Sequence, residues 1–132
     1  MLLDTNVLIR LVREPELVPA KLLARLKDPD EVRLISIASF WEMTIKHRKG
    51  KLPLPAPFDV DPVAAFEGWC ARAVIDILPI GPRHIAAAMA LDWRHDDPLD
   101  RLIAATAIVE NEELVTSDKE LAACPGVRVI KV

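Results

Sequence analysis

Short apolar runs alternate with helix-like stretches along the whole chain, and four of those stretches carry proline near their first residue. Strand-like runs are read at Met1–Asp4, Val32–Ile37, Val74–Leu78, Leu114–Thr116 and Val127–Val132. Helical patterns lie between them, near Thr5–Val12, Pro19–Lys27, Ala38–Lys49, Pro62–Arg72, Pro82–Leu91, Pro98–Glu110 and Lys119–Ala123. At a helix start the missing N–H of Pro19, Pro62, Pro82 or Pro98 costs nothing, because that donor has no intrahelical acceptor. Strands that alternate with helices need crossovers, which predicts an α/β fold with three layers: a central, mostly parallel sheet of four or five strands between two sets of helices. With 132 residues, one domain over 1–132 is expected. A chain of that size buries roughly two-thirds of its unfolded surface without a metal or disulfide.

Several function classes are disfavoured early. Three Phe, three Trp and no Tyr are too few for a platform that stacks single-stranded bases. Cys70 and Cys124 match no metal-ligand spacing, and no basic, then apolar, leader opens the chain. Reduced thiols and a cytoplasmic setting are therefore expected, with no membrane partner, since the run "LIAATAIV" is too short to cross a bilayer. No Gly-rich phosphate cradle occurs. Asn6 stands where a phosphatase of the haloacid-dehalogenase type carries its second acid, two residues after the first.

In an open α/β sheet, ligands gather at the carboxyl ends of the strands near the topological switch point. Four acids fall close to such ends: Asp4 after the first strand, Glu42 in "SIASFWEM", Asp100 in "DDPLDRLIAATA" and Asp118 in "TSDKEL". Each has a plain structural role open to it. Asp4 and Asp118 suit helix N-caps, Ser39 and Glu42 suit a capping box, and Asp97-Pro98-Leu99-Asp100 suits a cap with an acid in the first turn. All four, however, are expected at or near one edge of the inferred sheet. Two carboxylates ~5 Å apart repel by about 3 kcal/mol at an effective dielectric of 20. A hard cation such as Mg²⁺ or Mn²⁺ relieves that repulsion, and carboxylates with water are the donors it prefers. The net charge of −3 is then no bar to an anionic substrate: without those four acids, 17 basic residues face 16 acidic ones.

The blocks "LLDTNVLIRL", "ISIASFWEMTIKHRKGKLPLP", "HDDPLDRLIAATA" and "LVTSD", in that order from Leu2 to Asp118, resemble the PIN domain. They resemble in particular the VapC-type toxin ribonucleases of bacterial toxin–antitoxin pairs. The resemblance implies a PIN-like fold and a Mg²⁺- or Mn²⁺-dependent endoribonuclease whose catalytic and metal-binding acids are Asp4, Glu42, Asp100 and Asp118. It also implies a homodimer and a VapB-like antitoxin as partner. Support roles fall to His95 and Asp97 beside the third acid, with Asp97 read as a cap. Thr5 and Asn6 are candidates to orient Asp4, and Thr116 and Ser117 to orient Asp118 or touch the scissile phosphate; helix initiation explains these residues equally well. In "KHRKGK", Lys46, Arg48, Lys49 and Lys51 are either contacts for an RNA backbone or a solvated helix end. His84 is expected to be structural, and Trp41, Met43, Trp69, Met89 and Trp93 to pack in the core or a dimer face. A different class remains beside the enzyme: a catalytically silent PIN-like module that binds RNA or a protein.

Overall fold

A computed structural model describes residues 1–132. Five strands form one sheet: β1 (Leu2–Leu3), β2 (Leu34–Ser36), β3 (Asp76–Leu78), β4 (Leu114–Thr116) and β5 (Val129–Lys131). Every pairing is parallel, in the order β3-β2-β1-β4-β5. The helices are α1 (Thr5–Arg13), α2 (Ala20–Leu26), α3 (Ile37–Arg48), α4 (Pro62–Arg72), α5 (Pro82–Ala90), α6 (Pro98–Val109) and α7 (Lys119–Ala122), with a 3₁₀ turn at Pro15–Leu17. β4 has the bounds read from the sequence, and the other four strands are shorter than their apolar runs. Ile37 already belongs to a helix, and Val74 has φ of 54°, outside the extended region. Pro19 caps α2 rather than opening it.

Adjacent residues of a strand face opposite sides of its sheet, and β1 shows this with two residues. Leu3 joins Ile35 and Val115 in a core with Val7, Leu8, Leu22, Phe66 and Trp69, which brings α1, α2 and α4 onto one face. Leu2 joins Leu114, Ala38, Ile103, Ala104, Ala107 and Leu121, which brings α6 and α7 onto the other. Both leucines are fully buried. The three-layer architecture follows from this division. Met43 and Trp69 lie in the core, whereas Trp41 and Met89 are exposed.

Local chemistry explains the helix ends that frame the site. Ser36 Oγ accepts from the Ala38 amide and caps α3. Residue Gly50, with φ of +70°, ends that helix: its amide donates to His47 O at 3.0 Å and the Lys51 amide to Lys46 O at 3.0 Å. This 6→1, 5→2 pattern favours glycine, which enters the left-handed region without strain. It turns the chain so that Lys51 comes back beside the helix it follows. The Pro-rich segment after it is irregular, as its composition predicts, yet it buries Leu54 and Phe58. His47 ties it down through Leu52 O at 2.8 Å and the Asp59 carboxylate. His84 is structural: its Nδ1 accepts from the Gly81 amide at 2.9 Å and its Nε2 reaches Glu110 at 2.7 Å, joining α5 to the end of α6. Cys70 and Cys124 are buried free thiols. No helix is long and apolar enough to cross a membrane.

Candidate active site

The chain lays down β1, β2 and β3 toward one edge, then returns through α5 and α6 to place β4 on the other side of β1. The reversal of order between β1 and β4 is the switch point where ligands bind in such sheets. Asp4 follows β1 there, and Asp118 follows β4 by two residues. A cavity of about 270 Å³ opens over this edge, lined by Asp4, Asn6, Glu42, Lys46, Lys49, Lys51, Asp97, Asp100 and Asp118, with Ile45, Leu99 and Leu121. The four predicted acids, spread over 115 residues of sequence, therefore share one cavity with Asp97.

The structure separates acids that cap from acids that do not. Asp4 occupies the residue before α1 but makes no side-chain cap bond. Its Oδ2 instead accepts from Thr116 Oγ1 at 2.9 Å, and it is only 2% exposed. Asp118 does cap α7, its Oδ1 accepting from the Glu120 amide at 2.7 Å. Asp97 caps α6 through the Leu99 and Asp100 amides at 3.0 and 3.1 Å. Glu42 belongs to no capping box: Ser36, not Ser39, caps α3, so Glu42 sits in the second turn, too far on to reach a cap amide. Its Oε1 accepts from Lys46 Nζ at 3.1 Å. Asp100 Oδ2 pairs with His95 Nε2 at 2.7 Å.

Burial sets the electrostatics. It pushes Asp4 up to about 6, with Glu42 and Asp100 adding to the rise, while the Thr116 hydroxyl and the Thr5 backbone amide oppose it. Burial likewise raises Glu42 against the pull of Lys46, and Asp100 against that of His95. His95 is raised in turn by its bond to Asp100. Three carboxyls held above their ordinary range in one cavity are the condition a bound cation relieves.

The supporting residues are placed more unevenly. Thr116 serves both ends of the site, since its Oγ1 also accepts from the Asp118 amide at 2.9 Å. The Thr5 side chain turns from Asp4 to Ser39 Oγ at 2.9 Å and Glu42 Oε2 at 3.5 Å. It is buried against the Ser39 hydroxyl on the α3 side, so it supports the second acid rather than the first. Asn6 is exposed on the cavity wall and makes no side-chain hydrogen bond to Asp4. Ser117 lines a neighbouring hollow with Thr116, Asp118, Lys119 and Lys131, outside the acid cavity. Lys46, Lys49 and Lys51 reach the cavity, and Arg48 does not. A helix turns about 100° per residue, which carries Arg48 away from the face that Lys46 and Lys49 share.

Arg101 plays a part that its place in "DPLDR" hides. Its Nη1 donates to Trp93 O at 2.6 Å and His95 O at 3.0 Å, and its Nη2 to Ala88 O and Leu91 O at 3.0 Å. One guanidinium thus gathers three carbonyls of the α5–α6 connection, the segment that carries His95 and Asp97, and a fourth from the last turn of α5. Sequence gives no sign of this, because an arginine inside a helix reads as a solvated surface residue.

The donor set suits a hard divalent cation: carboxylate oxygens, one of them deeply buried, and no thiol. As the side chains stand, no group of three His, Cys, Asp or Glu is arranged to hold an ion. Glu42 and Asp100 are each engaged by a basic side chain instead.

Comparison with solved structures gives the same fold. The chain is similar to VapBC from Salmonella typhimurium in its DNA-bound form, with a TM-score of 0.74 at 20% identity over 98% of this chain and 96% of that one. VapBC2 from Rickettsia felis, bound to a DNA fragment from their promoter, gives 0.70 at 18% identity over 98% and 96%. A toxin–antitoxin complex from Klebsiella pneumoniae gives 0.62 at 24% identity over 98% and 95%. No curated protein matches the sequence. The family model described as the PIN domain matches residues 1–126. With the acid-lined switch point and the parallel five-stranded sheet, that match settles the family: the chain belongs to the PIN domain family.

Proposed function

We propose that this chain, a single PIN domain over 1–132, is a metal-dependent endoribonuclease and the toxin of a VapBC-type pair. The observation that carries this reading is the convergence of Asp4, Glu42, Asp100 and Asp118 on one cavity at the switch point, with Asp4 buried beside no basic partner. Asp4 and Asp100 are the carboxylates to hold Mg²⁺ or Mn²⁺, and Glu42 and Asp118 complete the set. The bound ion supplies neutralising charge on the phosphate and activation of the attacking water. Asp118 spends one oxygen on its cap, and its second would either face the ion or accept a proton from the attacking water. Thr116 holds Asp4 and the Asp118 amide in register throughout. Lys49 and Lys51 draw the backbone of the RNA to the cavity mouth. Attack by water rather than by the 2′-hydroxyl leaves a 5′-phosphate and a 3′-hydroxyl.

A VapB-like antitoxin fits the surface as well as the resemblance. Leu11, Leu23, Leu26, Ala73 and Val74 line a cleft of about 600 Å³ with Lys27 and Arg72 at its walls, a shape that takes an amphipathic acidic segment. A homodimer is supported by apolar side chains left in solvent at helical spacing, Ile37 and Trp41 on α3 and Ile85 and Met89 on α5. Such a pair acts in the cytoplasm, where the RNA is.

The catalytically silent module draws on one observation, that no three acids are arranged around an ion as they stand. One experiment separates the readings. Total RNA is incubated with wild type and Asp4→Asn, in Mg²⁺ and in EDTA. Cleavage only by wild type and only with metal is expected. Equal cleavage by both proteins removes the proposed site, and cleavage by neither favours the silent module.

A further inference from the structure

Glu42 and Lys46 stand one turn apart on α3, a spacing that ordinarily makes a solvated surface pair. Here the acid end is buried: 9% of the Glu42 side chain is exposed, against 45% of Lys46, and the Nζ to Oε1 distance is 3.1 Å. The second carboxylate oxygen faces the Thr5 hydroxyl at 3.5 Å, so both oxygens are engaged within the protein. Lys46 thus places a full positive charge inside the acid-lined cavity, in contact with one of its five carboxylates. In this same arrangement no three acidic side chains close round an ion. An ammonium and a divalent cation both seek the same oxygen and repel each other across it.

We propose that Lys46 is a resident counter-ion of the cluster, held on Glu42 in the metal-free protein and displaced when a divalent cation binds. This rests on the metal-binding reading of the site. Its function is to keep a buried carboxylate paired until a metal arrives, at the expense of metal affinity. Lys49 lines the same cavity without an ion-pair partner, and it separates a specific interaction from the general effect of a nearby positive charge.

The test is a Mn²⁺ titration without RNA, read by electron paramagnetic resonance, on wild type, Lys46→Met, Lys46→Arg, Lys49→Met, Glu42→Gln, the double variant Glu42→Gln/Lys46→Met, and Asp4→Asn. Lys46→Met is expected to bind Mn²⁺ about two- to fivefold more tightly than wild type, the range in which a partly exposed ion pair competes. Lys46→Arg keeps a cation and is expected to stay near wild type. In the Glu42→Gln background the effect of Lys46→Met vanishes, because the carboxylate under contest is gone. The proposal is overturned if Lys46→Met binds no more tightly than wild type, or if Lys49→Met tightens binding as much. Loss of binding in Asp4→Asn alone supports the metal site independently. Binding that is absent in wild type, or unchanged in Asp4→Asn, removes the parent reading and this one with it.

Discussion

Asp4 is the residue at which fold and chemistry oppose each other most directly. The carboxyl lies deep at the end of the central strand, accepts one side-chain hydrogen bond from Thr116, and has its pKa pushed up to about 6 from 3.8. The folded state therefore binds the proton more tightly than the unfolded chain does. The benefit is complete below pH 3.8 and is lost as pH rises through about 6, so ionised Asp4 destabilises the fold at neutral pH. The shift corresponds to about 3 kcal/mol as an order of magnitude. Asp4→Asn keeps an acceptor for Thr116 and removes the buried charge. It is expected to be about 1–3 kcal/mol more stable than wild type at pH 7 and no more stable near pH 3.5. Urea unfolding of both proteins at the two pH values checks this; a difference that does not change with pH would show that the carboxyl is not the source.

Among the elements, the α5–α6 connection has no regular structure of its own and depends on Arg101. Arg101→Lys keeps the charge but cannot present two nitrogens to four carbonyls. It is expected to cost about 1–3 kcal/mol, the range for buried carbonyls left without a donor. Faster hydrogen exchange confined to residues 88–97 would locate the damage, and unchanged exchange there would refute the clip. The elements themselves are largely legible in the chain. The β–α alternation and the prolines predict five strands and seven helices near their observed places, because both signals are local. Strand length is not legible: an apolar run such as Val32–Ile37 does not say where extended backbone gives way to helix, since the capping bond of Ser36 forms only in the folded chain. The same limit governs the acids. Spacing places all four at one sheet edge, but it does not distinguish Asp118, which caps, from Asp4, which does not. Nor does it foresee that Thr5 turns toward Glu42, because that interaction joins residues 37 positions apart. Arg48 falls in with its basic neighbours on sequence, because charge runs carry no facing information until a helix is phased.

On the scale of the whole molecule, charge is divided by place. Five of the acids are gathered in one cavity with three lysines, and outside it 14 basic residues face 15 acidic ones, close to balance. Lys49 and Lys51, one at the end of α3 and the other turned back by Gly50, stand at the cavity wall. Neutralising both is expected to weaken RNA binding in EDTA and flatten its salt dependence by about 0.7 in the log–log slope for each phosphate of a single strand that the pair no longer neutralises. Arg48→Ala is expected to leave the slope unchanged, and fluorescence anisotropy over a salt series reads both. The two-residue strand β1 carries a further implication for how such a molecule varies. Leu2 and Leu3 divide the two cores between them and Asp4 comes next, so inserting or deleting one residue there would turn each leucine toward the wrong layer and carry the carboxylate off the switch point. Insertions in this segment therefore damage architecture and activity together, and lineages that abandon catalysis keep the scaffold only by exchanging the side chain in place.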